Sequence, residues 1–174
     1  AKVTLAATDL CERFSTRLLR NVKIAPSPEW LQDALRSANI RSINNVVDVT
    51  NFVMLEQGQP LHAYDYDTLA GHELICRRAL QGELLVTLDD KERTLAEDQL
   101  VIADRDGAVG LAGIMGGQRT EVTDQTTTVL LEAATFNGAT IRRTARKHGL
   151  RSEASGRFER GIDPDITTLA LDRA

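Results

Sequence analysis

Leu100-Val101-Ile102-Ala103-Asp104-Arg105-Asp106-Gly107-Ala108-Val109-Gly110-Leu111-Ala112-Gly113-Ile114-Met115-Gly116-Gly117 holds two apolar runs, Leu100 to Ala103 and Val109 to Met115, parted by Asp106-Gly107. An Asp-Gly pair between apolar runs is a strong short-range hairpin signal, because tight hairpin turns need positive φ. Strands joined that closely run antiparallel. Upstream, Leu74 to Arg77 and Leu84 to Leu88 read as further strands, with Asp89-Asp90 as a second turn. Downstream, Val129 to Phe136 reads as another. Helical patterns lie outside this block. The order is helix-rich, strand-rich, helix-rich, which predicts an α+β fold and not a βαβ series.

Before the block, Val3 to Ala7 reads as a short strand, and Leu18-Leu19 with Val22 to Ile24 as another. Ser27-Pro28-Glu29 predicts a helix start, with Ser27 as cap, Pro28 at the first helical position and an acid in the first turn. Trp30, Leu31, Ala34, Leu35 and Ala38 follow at helical spacing, so Trp30 is expected in the core. Asn44 or Asn45 caps a second helix with Val46, Val49, Val53 and Met54 on one face, stopped by Gly58 and Pro60. After the block, helices are expected over Asn137 to His148, closed by Gly149, and over Ile166 to Ala174. The chain stops there in mid-helix without a cap, and is expected to be a fragment of something longer.

With 174 residues, 42% apolar and 26% charged, the chain can build a real core, and its composition is that of a globular domain. No apolar run approaches the ~18 residues of a membrane span, and no basic, then apolar, leader is visible. Cys11 and Cys76 lie far apart without a CxxC, so neither a disulfide framework nor a zinc site is expected, and a reducing cytoplasm is the default. The net charge of −4 argues against a nucleic-acid-coating protein, yet Arg142, Arg143, Arg146, Lys147, Arg151, Arg157 and Arg160 face only Glu153 and Glu159 within their segment. That asymmetry permits local phosphate contact; a solvated helix face with a few ion pairs is the alternative.

Few residues carry visible chemistry. Gly113-Ile114-Met115-Gly116-Gly117 lacks the lysine and hydroxyl of a nucleotide loop and opens no helix, so it reads as a tight bend or as a wall that something approaches closely. His62 follows Gly58-Gln59-Pro60-Leu61 and reads as either a structural histidine or a group able to orient water. His72 reads as surface, and His148 as a cation at a helix end. Glu132 stands inside Val129-Leu130-Leu131-Glu132-Ala133-Ala134, where an unpaired carboxylate is costly. It either points outward by strand alternation, or points inward and needs a partner or a ligand hydroxyl. Ser152-Glu153-Ala154-Ser155 suits a pocket lip or simple capping.

Four segments occur in a distinctive order: Asn44-Asn45-Val46-Val47-Asp48-Val49-Thr50-Asn51; Glu56-Gln57-Gly58-Gln59-Pro60-Leu61-His62-Ala63-Tyr64-Asp65; Ala112-Gly113-Ile114-Met115-Gly116-Gly117; and Arg157-Phe158-Glu159-Arg160-Gly161-Ile162-Asp163-Pro164. Together they resemble the B3/B4 editing region of bacterial phenylalanine–tRNA ligase beta subunits, over essentially the whole chain. The resemblance implies one editing module over residues 1–174, excised from a longer subunit. The implied fold is a three-layer α+β module containing a mostly antiparallel β-sandwich flanked by helices.

The implied activity is hydrolysis of tyrosine wrongly attached to the phenylalanine tRNA. His62 matches the histidine near the scissile ester, and Asn51 an asparagine lining the same pocket; these two are the candidate catalytic residues. Gly116 matches a glycine that keeps the mouth open, Glu132 the acid that reads the tyrosine hydroxyl, and Ser152 and Ala154 the small residues of the last wall. The family more often has threonine where this chain has Ser152. Gly113 and Gly117 are expected to admit substrate, and Arg142, Arg143, Arg146 and Lys147 to meet the tRNA. No cofactor is implied for this fragment; ATP and Mg2+ are implied for the full-length enzyme. The implied partners are phenylalanine tRNA and the alpha subunit of the alpha2-beta2 assembly, in the cytoplasm and away from membranes. The alternative is a non-catalytic tRNA-binding or subunit-docking module of the same synthetase.

Overall fold

A computed structural model describes all 174 residues. The chain opens with β1 (Lys2–Leu5), β2 (Cys11–Arg20), α1 (Glu29–Ser37) and α2 (Asn45–Gln57). The strand-rich block follows as β3 (Leu61–Asp65), β4 (Glu73–Arg78), β5 (Leu84–Val86), β6 (Glu92–Thr94), β7 (Leu100–Ala103), β8 (Ala108–Leu111), β9 (Met115–Gly116) and β10 (Thr128–Phe136). It closes with α3 (Gly138–His148), α4 (Glu153–Phe158) and α5 (Ile166–Arg173).

Two sheets carry the fold, in the orders β1-β4-β7-β8-β9 and β2-β10-β3, with β5-β6 as a separate hairpin. Only β1 and β4 pair in parallel. The main core lies between the two larger sheets: Leu74, Cys76, Leu100, Ile102, Val109 and Leu111 from one meet Tyr64, Leu130, Ala134 and Phe136 from the other. Val129, Leu131 and Ala133, on the opposite face of β10, pack with Val46 of α2 and Leu171 of α5. The result is a sheet–sheet–helix stack, the three-layer α+β arrangement expected. β10 is therefore central in its sheet and covered on both faces, which is why its sequence runs largely apolar, with Glu132 its one charged residue.

Local signals explain most boundaries. The Asn44 side chain accepts from the Val46 and Val47 amides, and Gly58 ends α2 at φ +80°. The Asn137 side chain accepts from the Thr140 amide, and Gly149 ends α3 at φ +64°. The turn residues Asp106-Gly107 join β7 to β8, and Asp90, at φ +60°, lies between β5 and β6.

Several expectations are corrected. Pro28, not Ser27, is the α1 cap residue; the Ser27 hydroxyl instead donates to the buried Asp48 carboxylate at 2.5 Å, joined by Ser42 Oγ at 2.5 Å and the Ile43 amide at 2.8 Å. Three donors satisfy that buried carboxyl group and tie the start of α2 to the segment before it. Trp30 is 60% exposed, its ring edge-on to Phe52, because Leu31 and Leu35 carry the buried face of α1. Val22 to Ile24 is no strand, since β2 instead begins at Cys11 and ends at Arg20. Val109 to Met115 is broken into β8 and β9 by a turn at Gly113 (φ +67°). Cys11 and Cys76 are both free and buried, and no helix is long and apolar enough to cross a membrane.

Candidate functional site

β3 and β10 pair antiparallel with His62 opposite Glu132 and Tyr64 opposite Leu130. Directly opposed residues emerge on the same face. Here that face is the intersheet one, so the alternation that sends Val129, Leu131 and Ala133 toward the helices sends Glu132 into the sandwich. With both faces of β10 covered, Glu132 has no outward option, and it is buried at 6% exposure.

The sheets do not close completely over it. A cavity of about 230 Å³ is lined by His62, Tyr64, Leu88, Gly113, Gly116, Glu132, Ala154 and Phe158, together with apolar residues of β7, β8 and the following turn. Its polar groups converge. Tyr64 Oη donates to Glu132 Oε2 at 2.5 Å, and Oε1 of the same carboxylate has no partner in the protein. The Tyr64 ring also meets the His62 ring edge to face, with centroids 4.5 Å apart. Burial raises the Glu132 carboxyl to about 7, opposed by the Tyr64 hydrogen bond, which favours the anion. Burial lowers His62 to about 4, so its imidazole is neutral at physiological pH. The Tyr64 phenol is pushed well above its usual range by burial first and by the Glu132 charge second.

The glycine-rich turn has two distinct functions. A Cβ on Gly116 would fall inside the His62 ring's van der Waals envelope, 2.7 Å from Nε2, and 3.2 Å from Leu88 Cδ1. The bare Gly116 is what gives His62 its seat. A Cβ on Gly113 would strike Phe158 at 2.8 Å and Phe136 at 3.0 Å, on the apolar wall. Gly117 is different: its amide donates to Val109 O at 2.7 Å, and a Cβ there would meet that same carbonyl at 2.6 Å. It serves strand packing and does not line the cavity.

The structure thus brings together His62, Glu132, Gly116, Gly113 and Ala154, drawn from β3, β10, β9, the turn before β9, and α4. Ser152 stands just outside: its hydroxyl caps α4 by accepting from the Ser155 amide and donates to Ile114 O at 3.0 Å, pinning the glycine turn to the helix that carries Ala154. Asn51 lies half-buried on α2, without a side-chain hydrogen bond and away from the cavity lining. Arg143 and Lys147 are held to Asp98, while Arg142 and Arg146 lack an ionic partner. His72 is exposed, as expected, and His148 ends α3 with Nε2 3.2 Å from Gln99 Oε1.

Sequence reasoning missed Tyr64 and Leu88. Strand alternation two residues beyond His62 would have found Tyr64. Leu88 reaches the cavity from the end of the separate β5-β6 hairpin, which no local pattern signals. No group of three or more His, Cys, Asp or Glu side chains is arranged to hold a metal ion.

The B3/4 domain family model matches residues 10–174. The chain is 58% identical to the phenylalanine–tRNA ligase beta subunit of Moorella thermoacetica over 174 residues, which is all of this chain and 22% of that protein. It is 54% identical to the corresponding subunit of Anaeromyxobacter dehalogenans over 172 residues, 99% of this chain and 22% of that protein. The chain thus spans about a fifth of the curated relatives it matches. In fold it is similar to an N-terminal fragment of the phenylalanyl-tRNA synthetase beta subunit from Pyrococcus horikoshii, with a TM-score of 0.56 at 14% identity, covering 85% of this chain and 50% of that one.

Proposed function

Because this chain belongs to the B3/4 domain family, sharing it with a segment of bacterial phenylalanine–tRNA ligase beta subunits, we propose that its cavity hydrolyses tyrosine wrongly esterified to the phenylalanine tRNA. One observation carries this reading: a buried carboxylate with one unpartnered oxygen lies directly across the strand pair from a neutral histidine, inside one cavity.

The two groups divide the task. Phenylalanine and tyrosine differ by one hydroxyl, and an apolar pocket rejects an added hydroxyl by only about 10². A second site that selects tyrosine positively must lose something when phenylalanine enters. Glu132 Oε1 accepts the substrate phenol, whereas a phenylalanine ring would cover that oxygen and leave it unpaired; such sites reject the analogue by roughly 10⁴ to 10⁵. Tyr64 already occupies Oε2 in the same chemistry, phenol on carboxylate.

At the other end, His62 is neutral, so a ring nitrogen can accept a hydrogen bond from water. It orients that water against the ester carbonyl carbon. Attack breaks the bond from the carbonyl carbon to the ribose oxygen, and the proton given up by water ends on that oxygen, with the neighbouring tRNA hydroxyl assisting. With a pKa near 4, His62 is a poor proton reservoir, and positioning is its main contribution. Asn51, on α2 and outside the cavity lining, takes no part in this step.

The reading takes the phenylalanine tRNA and the synthetase's alpha subunit as partners, in the cytoplasm. ATP and Mg2+ would belong to other parts of the intact enzyme. The residues here do not fit them: the Gly117 amide of the glycine turn is taken by Val109, and no ligand cluster is present. The test is deacylation by the purified chain, which should release tyrosine from tyrosyl-tRNA and spare phenylalanyl-tRNA. Binding of both without hydrolysis of either would instead make this a docking module.

A further inference from the structure

The positive charge on this acidic chain is not scattered. Of its arginines, Arg13, Arg17, Arg36, Arg77, Arg78, Arg93, Arg105, Arg119, Arg143, Arg157 and Arg173 are each held to a carboxylate. Outside this set stand only Arg20, Arg41, Arg142, Arg146, Arg151 and Arg160. The last four of these converge on one groove of about 580 Å³ between α3 and α4. Arg142 and Arg146 come from one face of α3, Arg151 from the connection, and Arg160 from just past α4. Glu159 is the one acid lining the groove, and it forms no salt bridge with any of them. The chain has more carboxylates than basic groups, and yet leaves four guanidinium groups together without neutralising them.

The groove also has a fixed relation to the cavity. α4 is the wall between the two. Ala154 and Phe158, one turn apart, line the Glu132 cavity, while Ser155, Gly156 and Glu159 line the groove. A helix is about 10 Å across, so a single strand whose terminal ester sits in the cavity needs to cross only that thickness to bring its phosphates over the arginines.

We infer that Arg142, Arg146, Arg151 and Arg160 form a phosphodiester-binding groove that holds the backbone of the RNA strand whose 3′ end enters the cavity. The inference rests on the proposed function for the identity of the strand. It also reassigns the basic segment: Arg143 and Lys147, committed to Asp98, are outside the groove. Planar guanidinium groups suit bidentate phosphate contact, and such contacts supply affinity and register without reading sequence.

The test is equilibrium binding of deacylated phenylalanine tRNA to the chain across a salt series, which requires no hydrolysis and so succeeds or fails separately from the editing reading. Arg146→Ala/Arg151→Ala should weaken binding roughly tenfold. It should also flatten the dependence of log K on log salt by about 1.4, near 0.7 for each single-strand phosphate that a guanidinium no longer neutralises. Arg20→Ala/Arg41→Ala removes the same charge elsewhere and should leave affinity within about twofold. All four side chains are exposed and unpaired, so these variants should keep the parent's circular dichroism and melting temperature. Equal losses from the two pairs would reduce the effect to net charge and overturn the groove. Competition by polyglutamate as effective as that by tRNA would make the groove a dock for an acidic protein segment, and would equally overturn the RNA assignment.

Discussion

Glu132 on β10 and His62 on β3 are direct register partners whose ionisation equilibria are displaced in opposite directions by the same burial, the carboxyl up to about 7 and the imidazole down to about 4. Both therefore favour the neutral form at mildly acidic pH, and a pair of uncharged groups is what the space between two sheets tolerates. The arrangement places one hydrogen-bond acceptor suited to a phenol and another suited to water side by side without a buried ion pair between them.

The opposed shifts have opposed consequences for stability. Folded Glu132 keeps its proton up to about 7 whereas an unfolded carboxyl releases it near 4.5, so its contribution to stability is full below 4.5 and lost as pH rises to 7. The unfolded chain protonates its histidine near 6.5 while folded His62 resists to about 4, so that contribution is present above 6.5 and lost as pH falls to 4. Measured against the parent at each pH, Glu132→Gln should gain relative stability between pH 4.5 and 7, by up to about 3 kcal/mol. His62→Gln should gain it in the reverse direction, from pH 6.5 down to 4. Denaturant titrations across this range check both, and parallel pH profiles for the two variants would contradict the burial of either group.

A contrast between adjacent glycines tests what the turn is for. Gly116→Ala places its methyl group against the His62 ring, a side chain that can swing aside, so folding should lose only about 1 kcal/mol. The displaced imidazole should nonetheless cost on the order of 10² in tyrosyl-tRNA deacylation, the scale of a ~1 Å misplacement. Gly117→Ala meets the Val109 backbone carbonyl, which cannot swing aside, and should cost about 1–3 kcal/mol of stability. Thermal melts alongside deacylation rates separate the two; a Gly116→Ala variant with parental activity would show that His62 does not need its present seat.

The legible and illegible parts of this molecule divide by range. The helix stops at Gly58 and Gly149 are read correctly, and Asn44 is one of the two caps expected for α2, because each acts within one turn of its own helix; Asn137, expected as the first residue of α3, is its cap. Glu132 is legible as an anomaly, since a carboxylate in an apolar strand must be explained locally whatever surrounds it. Trp30 fails for a physical reason: helical spacing identifies an apolar stripe but not which residue sits at its edge, and Leu31 and Leu35 take the interior. Ser27 fails because its partner Asp48 lies 21 positions away. α4, of six residues, is too short for periodicity to reveal, though it walls the cavity on one side and the arginine groove on the other. Leu88 and the unneutralised state of the four arginines depend on tertiary placement alone.

Tyr64 offers a sharper probe of Glu132 than any change to the acid itself. Tyr64→Phe keeps the ring against His62 and deletes only the hydroxyl that Glu132 Oε2 accepts. Losing a hydrogen bond that favours the anion should move the Glu132 carboxyl above 7, so the pH at which tyrosyl-tRNA is preferred should shift upward. Stability at about pH 8, where the carboxylate is left with fewer partners, should fall by about 1–3 kcal/mol. The pH profile of the tyrosine-to-phenylalanine rate ratio is the decisive measurement, because a purely structural tyrosine would leave its midpoint in place.

The last prediction separates recognition from chemistry. Glu132→Ala removes the acceptor proposed for the substrate phenol, so tyrosyl-tRNA hydrolysis should fall steeply. The same change also removes the penalty that phenylalanine incurs by covering an unpaired carboxylate oxygen, so phenylalanyl-tRNA hydrolysis should fall less or rise, and the ratio between the two esters should shrink by at least about tenfold. His62→Ala leaves Oε1 and its proposed reading of the phenol intact while removing the group proposed to orient water against the ester. It should slow both esters by a similar factor, on the order of 10², with the ratio retained. Both variants must be assayed on both substrates, since either alone is explained by a damaged pocket. A Glu132→Ala chain that keeps the parental rate ratio would remove Glu132 from specificity, and the discrimination would then have to come from the apolar wall of Ala154, Phe158 and Leu88, which has no polar atom with which to tell the two rings apart.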